Sequence, residues 1–220
     1  MAKKHQAWIH VGMPGAGDLV ESALAHHHAA LVELGVASLA RSTAESFRAA
    51  VEMTRSHRDW ALRRADVEGQ WTRLVRRARA SRCDLVFSQS LLAAADADQI
   101  ALLVDALAGY EVHVVVTTGI DDESDTVARW RAACRKPDRL HVIATDSLEP
   151  AQLWTAFGRL VGFGTASLRL DDVPRASAAL QTLPEALREI ERLARRNASL
   201  EVRLEELDRG RRRLKKRLVA

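Results

Sequence analysis

Apolar positions along this chain keep two alternating rhythms. Five short runs, residues 7–11, 36–39, 83–88, 111–118 and 139–145, are dominated by Val, Ile, Leu, Ala and aromatic residues. Runs of that length and β-branched content predict strands buried on both faces. The run EVHVVVTT, between Gly109 and Gly119, is the most β-like and is expected at the centre of a sheet. Between the runs, apolar residues return every three or four positions. Residues 18–34 place Leu19, Ala23, His26 or His27, Ala30, Leu31 and Leu34 on one stripe closed by Gly35. Helices are also predicted over 43–58, over 67–80 with Trp71, Leu74, Val75 and Ala78 on one face, and over 97–108 and 123–134. A further helix, 150–161, turns Leu153, Trp154, Phe157 and Val161 to one side, with Gly162 behind it. Strands alternating with helices in this way predict an α/β fold, three-layer α/β/α around a parallel sheet of about five strands.

The first run leads into AWIHVGMPGAGDL, residues 7–19, where a strand ends in a loop holding Gly12, Gly15 and Gly17 and Asp18 opens the next helix. Strand, glycine loop and helix make the layout of a phosphate loop. Its working form, GxxxxGK[ST], wraps a phosphate in backbone N–H groups, neutralises it with a lysine and completes the site with a hydroxyl. Gly12 and Gly17 keep the five-residue separation, but Asp18 and Leu19 hold the lysine and hydroxyl positions. A carboxylate then sits near the ligand's charge, so Gly12, Gly15, Gly17, Asp18 and Leu19 read as a degenerate cofactor-binding loop.

The α/β pattern fills residues 1–164. Residues 165–181 lapse into Ser, Arg, Asp and Pro174 and read as a linker or a loosely packed crossing. A different rhythm occupies 182–220. Thr182 and Glu185 form a TxxE capping box with Pro184 in the first turn. Heptads follow, with Leu183, Ile190, Asn197, Leu204, Arg211 and Leu218 at a and Ala186, Leu193, Leu200, Leu207 and Leu214 at d. The narrow a/d seam predicts a C-terminal coiled coil rather than a helix lying on the domain. Its dimer interface is Ile190, Leu193, Asn197, Leu200, Leu204 and Leu207. Parallel pairing sets Arg196 against Glu201 and Arg203 against Asp208, and Asn197 fixes the register of a two-stranded homodimer.

Charge changes this picture only at the end of the chain. The pI is about 9.5, but residues 183–220 hold 12 Lys and Arg against 7 Asp and Glu, whereas the other 182 residues hold 21 against 22. The excess concentrates in RGRRRLKKR, which starts at Arg209 and ends at Arg217. Weak contact with nucleic acid or anionic lipid is one reading of that run, and a frayed, solvated coiled-coil end is the other. Hydrophobic residues make up 47% of the 220, enough for a sizeable core. No apolar stretch reaches membrane-spanning length and the N-terminus lacks a signal-peptide pattern, so a cytoplasmic protein without a membrane span is expected. Cys83 and Cys134 have no metal-binding or redox spacing and are expected as free, buried or half-buried thiols.

With these residues in view, the chain resembles bacterial sulfotransferase-like proteins of the phosphate-loop class. WIHVGMPGAGDL followed by AHHHAALVELGV is similar to that family's opening, the stretch from DVEGQWTRLVRRARASRCDLVFSQS to VHVVVTT to its middle, and RLHVIATDSLEPAQLWTAFGRLVGFG to its later strand and helix. The resemblance covers about the first three-quarters of the chain. It implies the phosphate-loop fold and, in working members, transfer of a sulfuryl group from 3′-phosphoadenosine 5′-phosphosulfate to a hydroxyl or amine. It also places the family's clamps. The loop lysine falls at Gly15, the loop threonines at Asp18 and Leu19, the 3′-phosphate arginine at Gly119, its serine near Val127 or Ala128, and the base or acid at Gln89 or Ser90. Each anion contact is missing, and transfer depends on such clamps.

Other candidates are weaker. His26, His27 and His28 are consecutive and splay around a helix, so they do not converge on a metal. Asp18, Asp121, Asp122 and Asp146 follow strand ends and together would suit Mg²⁺, without any spacing motif. Arg73, Arg76, Arg77 and Arg79 read as a solvated helix face. The leading expectation is a pseudoenzyme, a dimeric binding or scaffold protein with no catalytic residues, no cofactor and no metal. The alternatives are an active sulfotransferase with a relocated Lys3, Lys4 or Arg41, and a metal-dependent phosphoryl-transfer enzyme.

Overall fold

The computed structural model describes residues 4–13, 16–119, 125–134, 136–145 and 148–173. The chain divides into two compact units, Met1–Pro174 and Arg175–Ala220. The second unit, with the expected coiled coil and the basic run, lies outside the described residues, as do Gly15, Asp121, Asp122 and Asp146.

Five strands, β1 (Gln6–Gly12), β2 (Val36–Ser38), β3 (Asp84–Ser88), β4 (Glu111–Thr118) and β5 (Leu140–Ala144), form one parallel sheet in the order β2-β3-β1-β4-β5. The central strand is therefore β1, and β4, expected at the centre, is its interior neighbour. Burial explains the placement: β1 is buried from Ala7 to Gly12, whereas Glu111, Val112 and His113 at the start of β4 are only half-buried. The β1 register sets Ile9 beside Phe87 on one side and Val114 on the other.

Helices cover both faces. α1 (Ala16–His26), α2 (His28–Glu33) and α8 (Pro150–Val161) bury Val20, Leu24, Leu31, Trp154 and Phe157 against Trp8, Val86 and Val115. On the opposite face α3 (Thr43–Met53), α5 (Gln70–Arg79), α6 (Ala97–Ala106) and α7 (Asp125–Ala133) pack Ala49, Trp71, Leu74, Ile100 and Trp130 against Ala7, Ile9, Phe87 and Val116. A short helix, α4 (Arg64–Val67), precedes Gly69, whose φ of 78° separates it from α5. Residues in the left-handed region favour glycine, so the single helix expected over 67–80 begins only after that turn.

Three further differences from the sequence reading have identifiable causes. The helix expected over 18–34 breaks at His27, which is nine-tenths buried and donates from Nε2 to the Arg169 carbonyl at 3.0 Å. The helix expected to reach 58 stops at Met53, and Arg55 takes a positive φ of 54°. The stretch 165–173, read as linker or loose crossing, is packed. Leu168 and Val173 are buried, and the Trp154 indole donates to the Leu168 carbonyl at 2.8 Å.

The arginine face is only partly solvated. Arg77 forks onto Glu45 and donates to the Leu39 carbonyl, and Arg79 donates to the carbonyls of Ala106 and Ala108, while Arg73 and Arg76 are exposed. Cys83 and Cys134 are half-buried free thiols. Among the described residues no helix is long and apolar enough to cross a membrane.

Candidate functional site

Parallel α/β sheets place ligands beyond the carboxyl ends of their strands, where neighbouring connections leave toward opposite faces. Here β1 passes the chain to α1 on one face, while its neighbours β3 and β4 pass it to α6 and α7 on the other. The glycine loop leaves β1 at that point. Gly17 donates its N–H to the Met13 carbonyl at 2.8 Å, and Met13 donates to the Thr117 carbonyl at 3.3 Å. The spacing of Gly12 and Gly17 has a steric cause: a Cβ on Gly12 would lie 2.3 Å from the Gly17 Cα, and one on Gly17 would lie 3.1 Å from the Gly12 Cα. The two backbones touch, and only glycine allows that approach.

Beneath the loop sits His10, fully buried on β1. Its Nδ1 lies 2.7 Å from Ser88 Oγ on β3 and its Nε2 3.2 Å from Thr117 Oγ1 on β4. A neutral imidazole has one donor and one acceptor, and two hydroxyls satisfy both. Burial lowers its pKa to about 3, so the ring stays neutral and ties three strands together under the loop.

Beside the loop, α1 carries Glu21, a carboxyl with only 8% of its surface exposed. Ser46 Oγ on α3 donates to Oε1, and Gln89 Nε2, just past β3, donates to Oε1 and Oε2 at 3.1 and 3.0 Å. Gln89 is itself held, its Oε1 accepting from Ser90 Oγ and the Leu91 N–H. Burial is the largest influence on Glu21. It raises the pKa, the hydrogen bonds from Ser46 and Gln89 oppose it, Asp18 adds repulsion, and the result is about 7. A carboxyl that exchanges a proton near neutrality is suited to acid–base work or to meeting a cation.

Glu21 lines a shallow cleft of about 430 Å³, wide open to solvent, together with Asp18, Thr43, Phe47, Trp60, Gln89 and Ser90, with Ala44 and Leu91 completing it. None of these is cationic. Phe47 and Trp60 meet edge to face with centroids 5.0 Å apart, and Trp60 keeps 47% of its surface exposed.

Of the loop residues singled out by the sequence, Gly12 and Gly17 are in contact, Asp18 is exposed at the cleft and Leu19 is half-buried against the α1/α8 core. Gly119, just past β4, is half-buried, Val127 is in the core and Ala128 is exposed. Gln89 and Ser90, placed by the resemblance at the base position, both line the cleft. Of the four aspartates only Asp18 is described, and Arg41 is exposed, donating its backbone N–H to Glu45. Among the described residues no three His, Cys, Asp or Glu side chains gather as a metal site. Sequence reasoning missed Glu21 and Trp60. The available signal for Glu21 was its place on the stripe of Gly17, Val20 and Leu24, where an acid is out of keeping. Set against family models, curated proteins and solved structures, the chain returns no match in any of the three, and its function is read from the site's own chemistry.

Proposed function

We propose that this chain is a binding protein on a sulfotransferase-like, phosphate-loop scaffold that has lost sulfuryl transfer, and that it acts as a homodimer joined by the coiled coil of residues 182–220. What supports it is the charge of the cleft beside the loop: among the described residues Asp18 and Glu21 line it, and no Lys or Arg does. Asp18, Leu19 and Gly119 stand where a phosphate-binding relative needs hydroxyls and a cation. A doubly phosphorylated nucleotide would meet carboxylates there, with only backbone N–H groups to offset its desolvation. Titration calorimetry with adenosine 3′,5′-bisphosphate is the test. Silence at millimolar concentration is expected, and a micromolar dissociation constant overturns the reading. The combined substitutions Gly15→Lys, Asp18→Thr, Leu19→Thr and Gly119→Arg are expected to restore measurable binding. Sedimentation tests the second half: the full chain is expected as a dimer and a chain ending at Gln181 as a monomer.

One observation favours a second reading, an active transferase acting on a small acceptor. Glu21, near pH 7 by virtue of burial, has the protonation behaviour of a general base. That reading requires release of the bisphosphate from 3′-phosphoadenosine 5′-phosphosulfate at a rate abolished by Glu21→Gln.

A further inference from the structure

The cleft beside the loop has two chemically different parts. One is acidic: Glu21 lines it and Asp18, also in the lining, stands on the same helix three residues earlier. The other is aromatic, built from Phe47 on α3 and from Trp60, which follows α3. We infer that the cleft binds an organic ammonium ion with a ring-sized apolar body, its charge at Glu21 and its body against Phe47 and Trp60. The inference rests on reading this cleft as the ligand site.

The case begins with the partners of Glu21. All three hydrogen bonds given to the carboxyl come from neutral groups, the Ser46 hydroxyl and the Gln89 amide. Neutral donors orient a carboxylate but do not supply its counter-charge, and a carboxylate has about four lone-pair sites, so room for another donor remains. An ammonium N–H supplies both the donor and the charge. Asp18 adds to the negative potential: its repulsion is among the causes of the raised Glu21 pKa, which a bound cation would reverse. A metal ion fits less well, because hard cations ask for more oxygen ligands, and among the described residues no such group gathers. The aromatic wall argues in the same direction. Trp60 is one of the exposed large hydrophobic side chains, yet it is held against Phe47 in an edge-to-face pair. An exposed indole lining the same cleft as the carboxylates offers apolar area and an aromatic ring to a cation with an organic body. Thr43 and Ser90 add hydroxyls to the lining, which orient a polar head without contributing charge.

The test uses the full chain at about pH 8, where Glu21 is mostly ionised. Phenethylammonium, uncharged 2-phenylethanol and anionic 3-phenylpropionate are titrated by calorimetry, with tryptophan fluorescence in parallel. The ammonium is expected to bind at least about tenfold more tightly than the alcohol, and the carboxylate not at all. Trp60→Ala and Glu21→Gln are each expected to weaken the ammonium by about tenfold or more, and exposed Asp18→Asn by roughly two- to threefold. Circular dichroism confirms that each variant is folded, and Asp18→Asn serves if Glu21→Gln is not. Equal affinity for ammonium and alcohol, preference for the anion, or no ammonium binding overturns the inference. Adenosine 3′,5′-bisphosphate is titrated alongside. Failure of the ammonium with the nucleotide also silent defeats this inference and leaves the proposed function standing, whereas micromolar nucleotide binding defeats the latter.

Discussion

His10 and Glu21 are both titratable, both buried, and lie on either side of the turn from β1 into α1, yet their surroundings give them opposite behaviour. His10 is enclosed by Ser88, Thr117 and the Phe157 ring, and every polar atom it has is matched. Glu21 is bonded as well, but it lines a cleft and faces another carboxylate, Asp18. Burial pushes each group toward its neutral form, which lowers the histidine and raises the acid. Burial alone therefore does not mark a functional group. What separates the two is whether the enclosed polar atoms are fully matched by neutral partners or remain open to a ligand.

The two groups also drive stability in opposite directions with pH. His10 titrates at 6.5 in the unfolded chain and about 3 in the folded one, so the unfolded state binds more protons between those values and stability falls as pH drops through them. Glu21 moves from 4.5 to about 7, so the folded state binds more protons and stability falls as pH rises from 4.5 toward 7. Between 4.5 and 6.5 the two slopes cancel in the native protein. Breaking the His10 arrangement has the largest expected effect. His10→Leu keeps a side chain of similar size but leaves Ser88 and Thr117 hydroxyls without a partner under the loop, for a loss of about 4 kcal/mol. It also removes the opposing slope, so the variant is expected to lose stability steadily as pH rises from 4.5 to 7. Urea midpoints across that range decide it, and a flat variant refutes the raised Glu21 pKa.

Glu21→Gln sharpens the comparison from the other side. The raised Glu21 pKa is worth roughly 3 kcal/mol of stability as an upper bound, fully present below pH 4.5 and lost as pH rises toward 7. Replacing the carboxyl with an uncharged amide of the same shape removes that loss, offset in part by an imperfect match to the Gln89 amide. The variant is expected to gain stability from pH 4.5 to 6.5, where the parent is nearly flat, so the difference between variant and parent favours the variant more at pH 8 than at pH 4. Equal differences between variant and parent at pH 4 and pH 8 would sink the raised pKa.

Much of this fold was legible from the sequence where punctuation was local. β4 and α8 occupy the expected 111–118 and 150–161 because Gly109 and Gly119 bracket one and Pro150 and Gly162 the other, and Gly162 caps α8 at a φ of 96°. The separation of Gly12 and Gly17 was equally plain, since close backbone approach demands that residue at those two positions. The break at His27 was not legible, because its partner is a carbonyl 142 residues away. The partners of Glu21 were hidden for the same reason: Ser46 and Gln89 come from 25 and 68 residues along the chain. Periodicity identifies which face of a helix is inward, but it does not report which polar groups meet there.

Glu45 supplies the smallest and most local extension of the comparison, a second glutamate with the opposite shift. It lies one residue before Ser46 on α3, but Arg77 reaches it with both Nη1 and Nη2 while also donating to the Leu39 carbonyl at 2.9 Å. That hydrogen bonding lowers the Glu45 pKa to about 2, against the opposing effect of burial. Its contribution to stability is therefore present above pH 4.5 and lost as pH falls from 4.5 toward 2. The pair is about one-third exposed, with side-chain exposures of 27% and 32%, so solvent screening reduces its worth to roughly 1 kcal/mol. Arg77→Lys keeps the charge but gives up the planar fork and the reach to Leu39. A loss of about 1 kcal/mol at pH 7 is expected, shrinking toward zero near pH 2.5, where Glu45 is protonated in the unfolded chain and partly so in the folded one. Arg73→Ala and Arg76→Ala, on the exposed part of the same helix, are expected to stay within about 0.5 kcal/mol of the parent at both values. Urea melts of the three variants compare a bonded arginine with two solvated ones. Equal losses in all three would mean that α5 owes its docking to its apolar face alone, through Trp71, Leu74, Val75 and Ala78.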